Sequence, residues 1–323
     1  MSVLVFAENW DGKFKKQTCE LVTYARQMAD MLGFPVTVVS IGNVADEELK
    51  TLSRYGADRI VKISGEQYKI LDNQSCTSAI AQVAEKEQAG VIILAHNNTG
   101  KALAPRLSVR LKAGLASGVS SLPASRDNIV VRRKVFSGKA FAAVRISSEK
   151  KILTLSQNSF GISEAPKESM VVSFTPKPDR TGIQTEVRDV QKQAGKVILT
   201  DAEIVVSGGR GMKSPDNWGP LEELAGILGA ALACSRPVSD EGWRPHEEHT
   251  GQTGKIIAPN LYMAFGISGA IQHLAGVSSS KCIVAVNTDK NAPIFEAADY
   301  GVVGDAHKVL PDLIREIRAA RNQ

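Results

Sequence analysis

A chain of 323 residues, 43% hydrophobic and 23% charged, is long enough for two globular domains with a sizeable core. Its net charge of +5 is spread thinly, and the densest cluster, Arg132-Arg133-Lys134, has no interleaved aromatic residues to stack on bases; a solvated strand face is expected there, and nucleic-acid binding is not. Cys19, Cys76, Cys234 and Cys282 are far apart and form no CxxC pair, so neither a metal site nor a disulfide framework is expected. The start, "MSVLVFAENWDGK", enters a short apolar strand that turns acidic too soon for a signal peptide. No run elsewhere is long enough to span a membrane, which makes an intracellular, cytoplasmic protein the expectation.

In chain order, the first half alternates β-branched runs with helical patterns. "SVLVF", "PVTVVSIG", "DRIVKI" and "GVIILAH" are the expected strands, with helices around Lys16–Leu32, Ala45–Tyr55 and Ser75–Gln88 between them. Continuous apolar runs separated by helices predict a mainly parallel sheet covered on both faces. The rhythm changes after Leu111: "IVVRRKVFSGKAFAAVRI" predicts an antiparallel hairpin at a sheet edge, followed by strands "KILTLS" and "MVVSFT". The charged, proline-containing stretch Thr175–Gln193 reads as a linker, with the domain boundary near its end, giving domains 1–190 and 191–323. The second half restarts the α/β pattern. "EIVVSGGRGMK" is a strand entering a glycine turn, "NWGPLEELAGILGAAL" the next helix, then come strands "KIIA", "LYMAF", "CIVAVN" and "YGVVGD" and a C-terminal helix from Lys308.

In an open α/β sheet, ligands sit beyond the carboxyl ends of the strands. The strand ends here carry "SGGRG", "CSRPV", "GISG", Asn287 and Asp305, and the loop "EEHTGQTGK" adds hydroxyls and glycines. That set suits a large, anionic, ring-bearing cofactor. Between Tyr262 and Gly276, a strand, turn and helix are expected. Spacing by four stacks Gly269 with His273 and Ser268 with Gln272 on one helical face, opposite a stripe of Ile267, Ile271 and Leu274. Each feature also has an ordinary structural reading. Glycines make tight turns, Thr253 can be a turn hydroxyl, and a lone His273 is more often a satisfied core residue. Convergence on one sheet edge is what favours a ligand. Catalytic groupings are weak: the histidines at 246 and 249 lack HExxH spacing, and "GISGA" only loosely resembles a nucleophile elbow. No catalytic residue and no metal ligand is expected.

"LYMAFGISGAIQHLAGVSSSKCIVAVN", with "SGGRGMK", "CSRPV", "GQTGK", "APIFEAADYGVVGD" and "KVLP" in the same order, resembles the electron transfer flavoprotein alpha subunit. In the first half the resemblance rests on strand order and "GKALAPRLSVRL". It implies a Rossmann-like FAD-binding C-terminal domain, a smaller beta subunit contacted by the N-terminal domain, and electron transfer from acyl-CoA-type dehydrogenases to a quinone oxidoreductase or other acceptor. It implies an electron carrier rather than an enzyme with a substrate of its own. Carried over by motif, Arg210 would meet the FAD phosphates, and Ser235 and Arg236 would approach the pyrophosphate and flavin. Thr250, Gly251, Gln252 and Thr253 would line the ring system, with the Thr253 hydroxyl near flavin N5. Ser268, Gly269, Ala270, Ile271, Gln272 and His273 would form the phosphate turn and bring His273 to the C2 carbonyl, while Asn287, Asp305 and the adjacent Ala306 would reach the adenosine portion. The segment 244–249 is unusually polar, and no side-chain contact carries over there.

Two alternatives remain at this level. One is a flavin- or nicotinamide-dependent oxidoreductase with its own substrate, or an electron-bifurcating form of the flavoprotein. The other is a nucleotide sensor on the first half, for which "NWDGKF" offers only one glycine.

Overall fold

The structure is a computed structural model describing residues 1–68, 72–136, 138–177 and 197–321. The chain divides into two compact units, Met1–Val135 with Ala140–Val190, and Phe136–Lys139 with Gln191–Gln323. The boundary expected at 190/191, and most of the linker around it, lie outside the described residues.

The first unit carries a nine-stranded sheet. Its elements are β1 (Ser2–Phe6), a small hairpin of β2 (Asn9–Trp10) and β3 (Lys13–Phe14), α1 (Lys16–Leu32), β4 (Val36–Ile41), α2 (Asp46–Thr51) and β5 (Arg59–Ile63). They continue as α3 (Asn73–Lys86), β6 (Ala89–Ala95), α4 (Asn98–Leu111), β7 (Gly114–Val119), β8 (Val130–Val135), β9 (Ala140–Arg145), β10 (Lys151–Leu155) and β11 (Met170–Ser173). The order β11-β5-β4-β1-β6-β10-β7-β8-β9 is parallel through β7, and the β8–β9 hairpin closes one edge antiparallel, as its sequence predicts. All residues of β1 and β4 are buried, which is why they read as unbroken apolar runs. Of the basic cluster on β8, only Arg132 is exposed, while Arg133 and Lys134 are half-buried, so the expected solvated face is confined to one residue. Glu20 of α1 is buried and accepts hydrogen bonds from the backbone N–H groups of Asn158, Phe160 and Gly161, tying the loop after β10 to the helix.

The second unit is a five-stranded, wholly parallel sheet: β12 (Ile204–Gly208), α5 (Gly219–Leu228), β13 (Ala231–Cys234), α6 (Arg236–Asp240), β14 (Leu261–Phe265), α7 (Ile271–Val277), β15 (Cys282–Asn287), α8 (Ile294–Ala297), β16 (Tyr300–Val303) and α9 (Ala306–Arg321). The strand order is β13-β12-β14-β15-β16, which is 2-1-3-4-5 counted within the unit. This is the doubly wound nucleotide-binding architecture, with its topological switch point between β12 and β14. Its faces are covered by two separate cores. One joins Val205, Tyr262 and Ala285 to Ile257, Val277 and Ile294; the other joins Val206, Met263 and Phe265 to Trp218, Leu221, Leu310 and Ile314.

Three expectations need correction. The helix read through Leu232 ends at Leu228, because Gly229 takes a left-handed conformation (φ 64°) and caps it; Ala231–Cys234 is then a strand. "KIIA" is not a strand, since only Lys255 forms an isolated bridge, to Thr250. Helix α7 starts at Ile271, so residues 267–270 are a turn and the four-residue stacking across it does not hold. Ile271 is 71% exposed rather than part of an inward stripe, and His273, Gly276 and Val277 are the buried face.

Candidate functional site

All five strand ends of the second unit contribute to a cavity of about 600 Å³, within the range of small-molecule sites. Its wall includes every residue that the resemblance carries over to the cofactor except Ile271. It also includes Lys213, His249, Thr288 and Gly304, which sequence reasoning did not assign. The location beyond the β12/β14 switch point is where the doubly wound architecture binds ligands.

Interlocked glycines build the floor. Gly209 N–H donates to the Phe265 carbonyl at 2.9 Å and Gly211 N–H to the Gly266 carbonyl at 3.0 Å, joining the loops after β12 and β14. A Cβ on Gly211 would stand 2.6 Å from Gly266 Cα, and Gly266 itself needs a positive φ of 62°. Gly209 and Gly211 thus serve loop-to-loop contact, while Gly208 leaves room for the Trp218 ring. At Gly269 the Ile294 backbone fills the place a side chain would take. The Ile294 N–H donates to the Ser268 carbonyl at 3.0 Å, and Asn287 Nδ2 donates to the Ile267 carbonyl at 2.9 Å, so two later elements hold the turn 266–270.

The loop 249–255 is held by its backbone. Thr250 N–H donates to the Cys234 carbonyl at 3.0 Å, Gln252 N–H to the Gln272 carbonyl at 2.7 Å and Lys255 N–H to the His249 carbonyl at 2.9 Å. Thr250 is fully buried, whereas Gln252 and Thr253 are exposed on the cavity wall. The preceding segment is not the solvated loop its polarity suggests. Arg244 grips Glu248 through two bonds of 2.7 and 2.9 Å, donates to Glu222 at 2.7 Å and lies over the Trp218 ring. His246 Nδ1 pairs with Ser239 Oγ at 2.8 Å, and His249 is 7% exposed.

Three cations stand on the wall, each beside an acid: Arg210 4.0 Å from Glu241, Arg236 3.2 Å from Asp240, and Lys213 3.7 Å from Asp305. All three are mostly solvent-exposed, and exposed pairs of this kind contribute little, so the cations remain available to an anionic ligand. Lys213 caps the short 3₁₀ turn Arg210–Met212 with a positive φ of 67° and lines the same cavity as Arg210. Asp305 is held below the usual carboxylate range, chiefly by the His307 N–H, which it accepts at 3.0 Å as it caps α9. Burial pushes His249 below its ordinary value and His273 down to about 4, so both imidazoles are neutral near pH 7. Burial also pushes the Cys234 thiol up to about 12, leaving it inert. Among the described residues, no group of three or more His, Cys, Asp or Glu could hold a metal ion, and no helix is long and apolar enough to cross a membrane.

The fold and the cavity define an α/β protein with a nucleotide-cofactor site in its second unit. Residues 3–179 match the electron transfer flavoprotein domain family, and residues 198–278 match the electron transfer flavoprotein FAD-binding domain. The chain is 38% identical over 325 residues to the electron transfer flavoprotein subunit alpha of Bacillus subtilis, covering 98% of this chain and 97% of that one. It is 35% identical over 321 residues to the subunit alpha of Thermoanaerobacterium thermosaccharolyticum, with 98% and 97% coverage. It is 31% identical over 355 residues to the acryloyl-CoA reductase electron transfer subunit beta of Anaerotignum propionicum, with 99% and 96% coverage. The chain belongs to the electron transfer flavoprotein alpha subunit family, and its cofactor is FAD. Members of this family are electron carriers.

The residues present fit that cofactor. Three loosely paired cations suit a diphosphate, exposed Gln252 and Thr253 offer polar groups to a ring, and His273 Nδ1 is buried with no partner at hydrogen-bond geometry among the described residues.

Proposed function

We propose that this chain pairs with a smaller beta subunit, accepts electrons from acyl-CoA-type dehydrogenases and delivers them to a quinone oxidoreductase or another acceptor. The observation that carries the reading is the convergence of five strand ends and three cations on one cavity, in the unit that matches the FAD-binding domain. FAD supplies the redox chemistry when bound. In this reading Arg210, Lys213 and Arg236 hold the phosphates electrostatically, with Ser235 beside them at the start of α6. Thr250 to Thr253 border the ring, Thr253 offering its hydroxyl at N5. Residues 268–270 approach the phosphates as a held turn, while His273 donates to the ring at the C2 carbonyl. Asn287, Asp305 and Ala306 border the adenosine; Asn287 and Asp305 do so from side chains already engaged with the protein. Ile271, the exposed first residue of α7, stays with this turn in the reading. A cytoplasmic setting is supported by four free cysteines at scattered positions.

The experiment is to mix the reconstituted heterodimer anaerobically with an acyl-CoA dehydrogenase and its substrate and follow the visible flavin absorbance. Bleaching that requires the dehydrogenase supports the carrier reading. Bleaching by NADH alone, with none from any acyl-CoA dehydrogenase, would replace it with a nicotinamide-linked or bifurcating one.

A further inference from the structure

Tyr262, on β14, is completely buried in the core, and its phenol oxygen lies 2.7 Å from Nε2 of His273 on α7. Each of these side chains has a polar atom that must be satisfied away from water, and the pair does this for Oη and Nε2. The remaining ring nitrogen, His273 Nδ1, is buried and meets no acceptor at hydrogen-bond geometry among the described residues, although the Thr250 backbone lies close to the ring. The residue nevertheless lines the cavity.

The proton in this contact has a preferred side. Burial raises the Tyr262 hydroxyl above its ordinary range, so it keeps its proton, and burial lowers His273 to about 4, so its ring carries a single proton. The Thr250 backbone favours the charged ring without offsetting burial, and neighbouring His249 opposes that charge. A phenol O–H is a stronger donor than a neutral imidazole N–H, and the bare imidazole nitrogen is a stronger acceptor than a phenol oxygen. Tyr262 therefore donates to Nε2, and the one ring proton resides on Nδ1.

We infer that Tyr262 is a positioning residue: by donating to His273 Nε2 it fixes the Nδ1–H tautomer, so that the cavity wall presents a neutral hydrogen-bond donor to an acceptor atom of the bound cofactor. Tyr262 touches no cofactor itself and acts only through His273. The inference rests on the reading that His273 meets the flavin.

The test uses the FAD-loaded heterodimer with ¹⁵N-labelled histidine. The two neutral tautomers have distinct ¹⁵N shifts, and His273→Gln identifies the His273 signals. Wild type should show the Nδ1–H form. Tyr262→Phe, which removes the hydroxyl and keeps the ring, should move His273 towards a mixture or the Nε2–H form and lower the flavin midpoint potential in the same direction as His273→Gln, by a smaller amount. An Nε2–H tautomer in wild type, or an unchanged His273 signal in Tyr262→Phe, would overturn the inference. If the tautomer responds while His273→Gln leaves FAD affinity and potential unchanged, it is the flavin contact of His273 that fails.

Discussion

Gly276 of α7 and Gly251 of the loop before β14 meet backbone to backbone: a Cβ on Gly276 would stand 2.5 Å from Gly251 Cα. Two bare backbones in contact let the loop 249–255 lie against α7, which puts Thr250 to Thr253 and His273 on one cavity wall. Gly276→Ala must push the loop away. Overpacking of this kind costs about 1–3 kcal/mol, read as a lower denaturant midpoint, and the displaced loop should weaken FAD binding in the same variant. An alanine variant as stable and as tightly loaded as wild type would show that the loop needs no such contact.

Thr253 should separate cofactor contact from turn support. It is exposed on the wall, and among the described residues no protein group takes its hydroxyl. Thr253→Ala should leave the melting temperature unchanged and lower the flavin potential, by an amount corresponding to one neutral hydrogen bond, about 0.5–1.5 kcal/mol. Lost stability with an unchanged potential would return Thr253 to the role of a turn hydroxyl.

Arg244 and Glu248 give a stability prediction away from the cofactor. Arg244→Ala removes both guanidinium bonds from a buried carboxylate and should cost about 3 kcal/mol in chemical unfolding. Glu248→Ala should cost less, because the arginine keeps Glu222. Equal losses in the two variants would contradict this ordering.

Stability should also fall in acid through the histidines. His273 and His96 are both held down to about 4, mainly by burial, so below pH 6.5 the unfolded chain binds protons that the folded chain refuses. Their contribution is complete above the unfolded pKa and shrinks as pH falls from about 6.5 towards 4, by on the order of 2 kcal/mol per histidine at pH 5. Urea unfolding at pH 7 and 5 measures it, and His273→Gln should flatten the slope by about one histidine's share. A slope identical in the variant would mean that His273 is protonated in the folded protein.

Much of this architecture is legible from residues alone, and the failures have physical causes. Strands such as Val36–Ile41 and Leu261–Phe265 are buried on both faces and so appear as apolar runs. β13 hides in "GAALAC" because alanine and leucine favour helix, and only the left-handed Gly229 marks the stop. β7, "GLASGV", is built of small residues and carries almost no β-branched signal. The site was visible because glycine or a charged residue follows each strand. What could not be read was which neighbour fills the space at Gly269, since Ile294 arrives from another element. The same limit hid the burial of Glu248, whose guanidinium partner also reaches Glu222 on α5.

The central claim, that FAD is held through its phosphates in the second unit's cavity, is tested most directly by the FAD dissociation constant of the heterodimer carrying Arg236→Ala, Arg236→Lys or Arg210→Ala. A charge-assisted hydrogen bond contributes about 1.5–3 kcal/mol, so Arg236→Ala should weaken binding by roughly 10- to 150-fold. Arg236→Lys should fall between wild type and alanine, because it keeps the charge but loses the planar fork. Arg210→Ala should weaken binding in the same direction. Wild-type affinity in all three variants would contradict the account and move the cofactor out of this cavity.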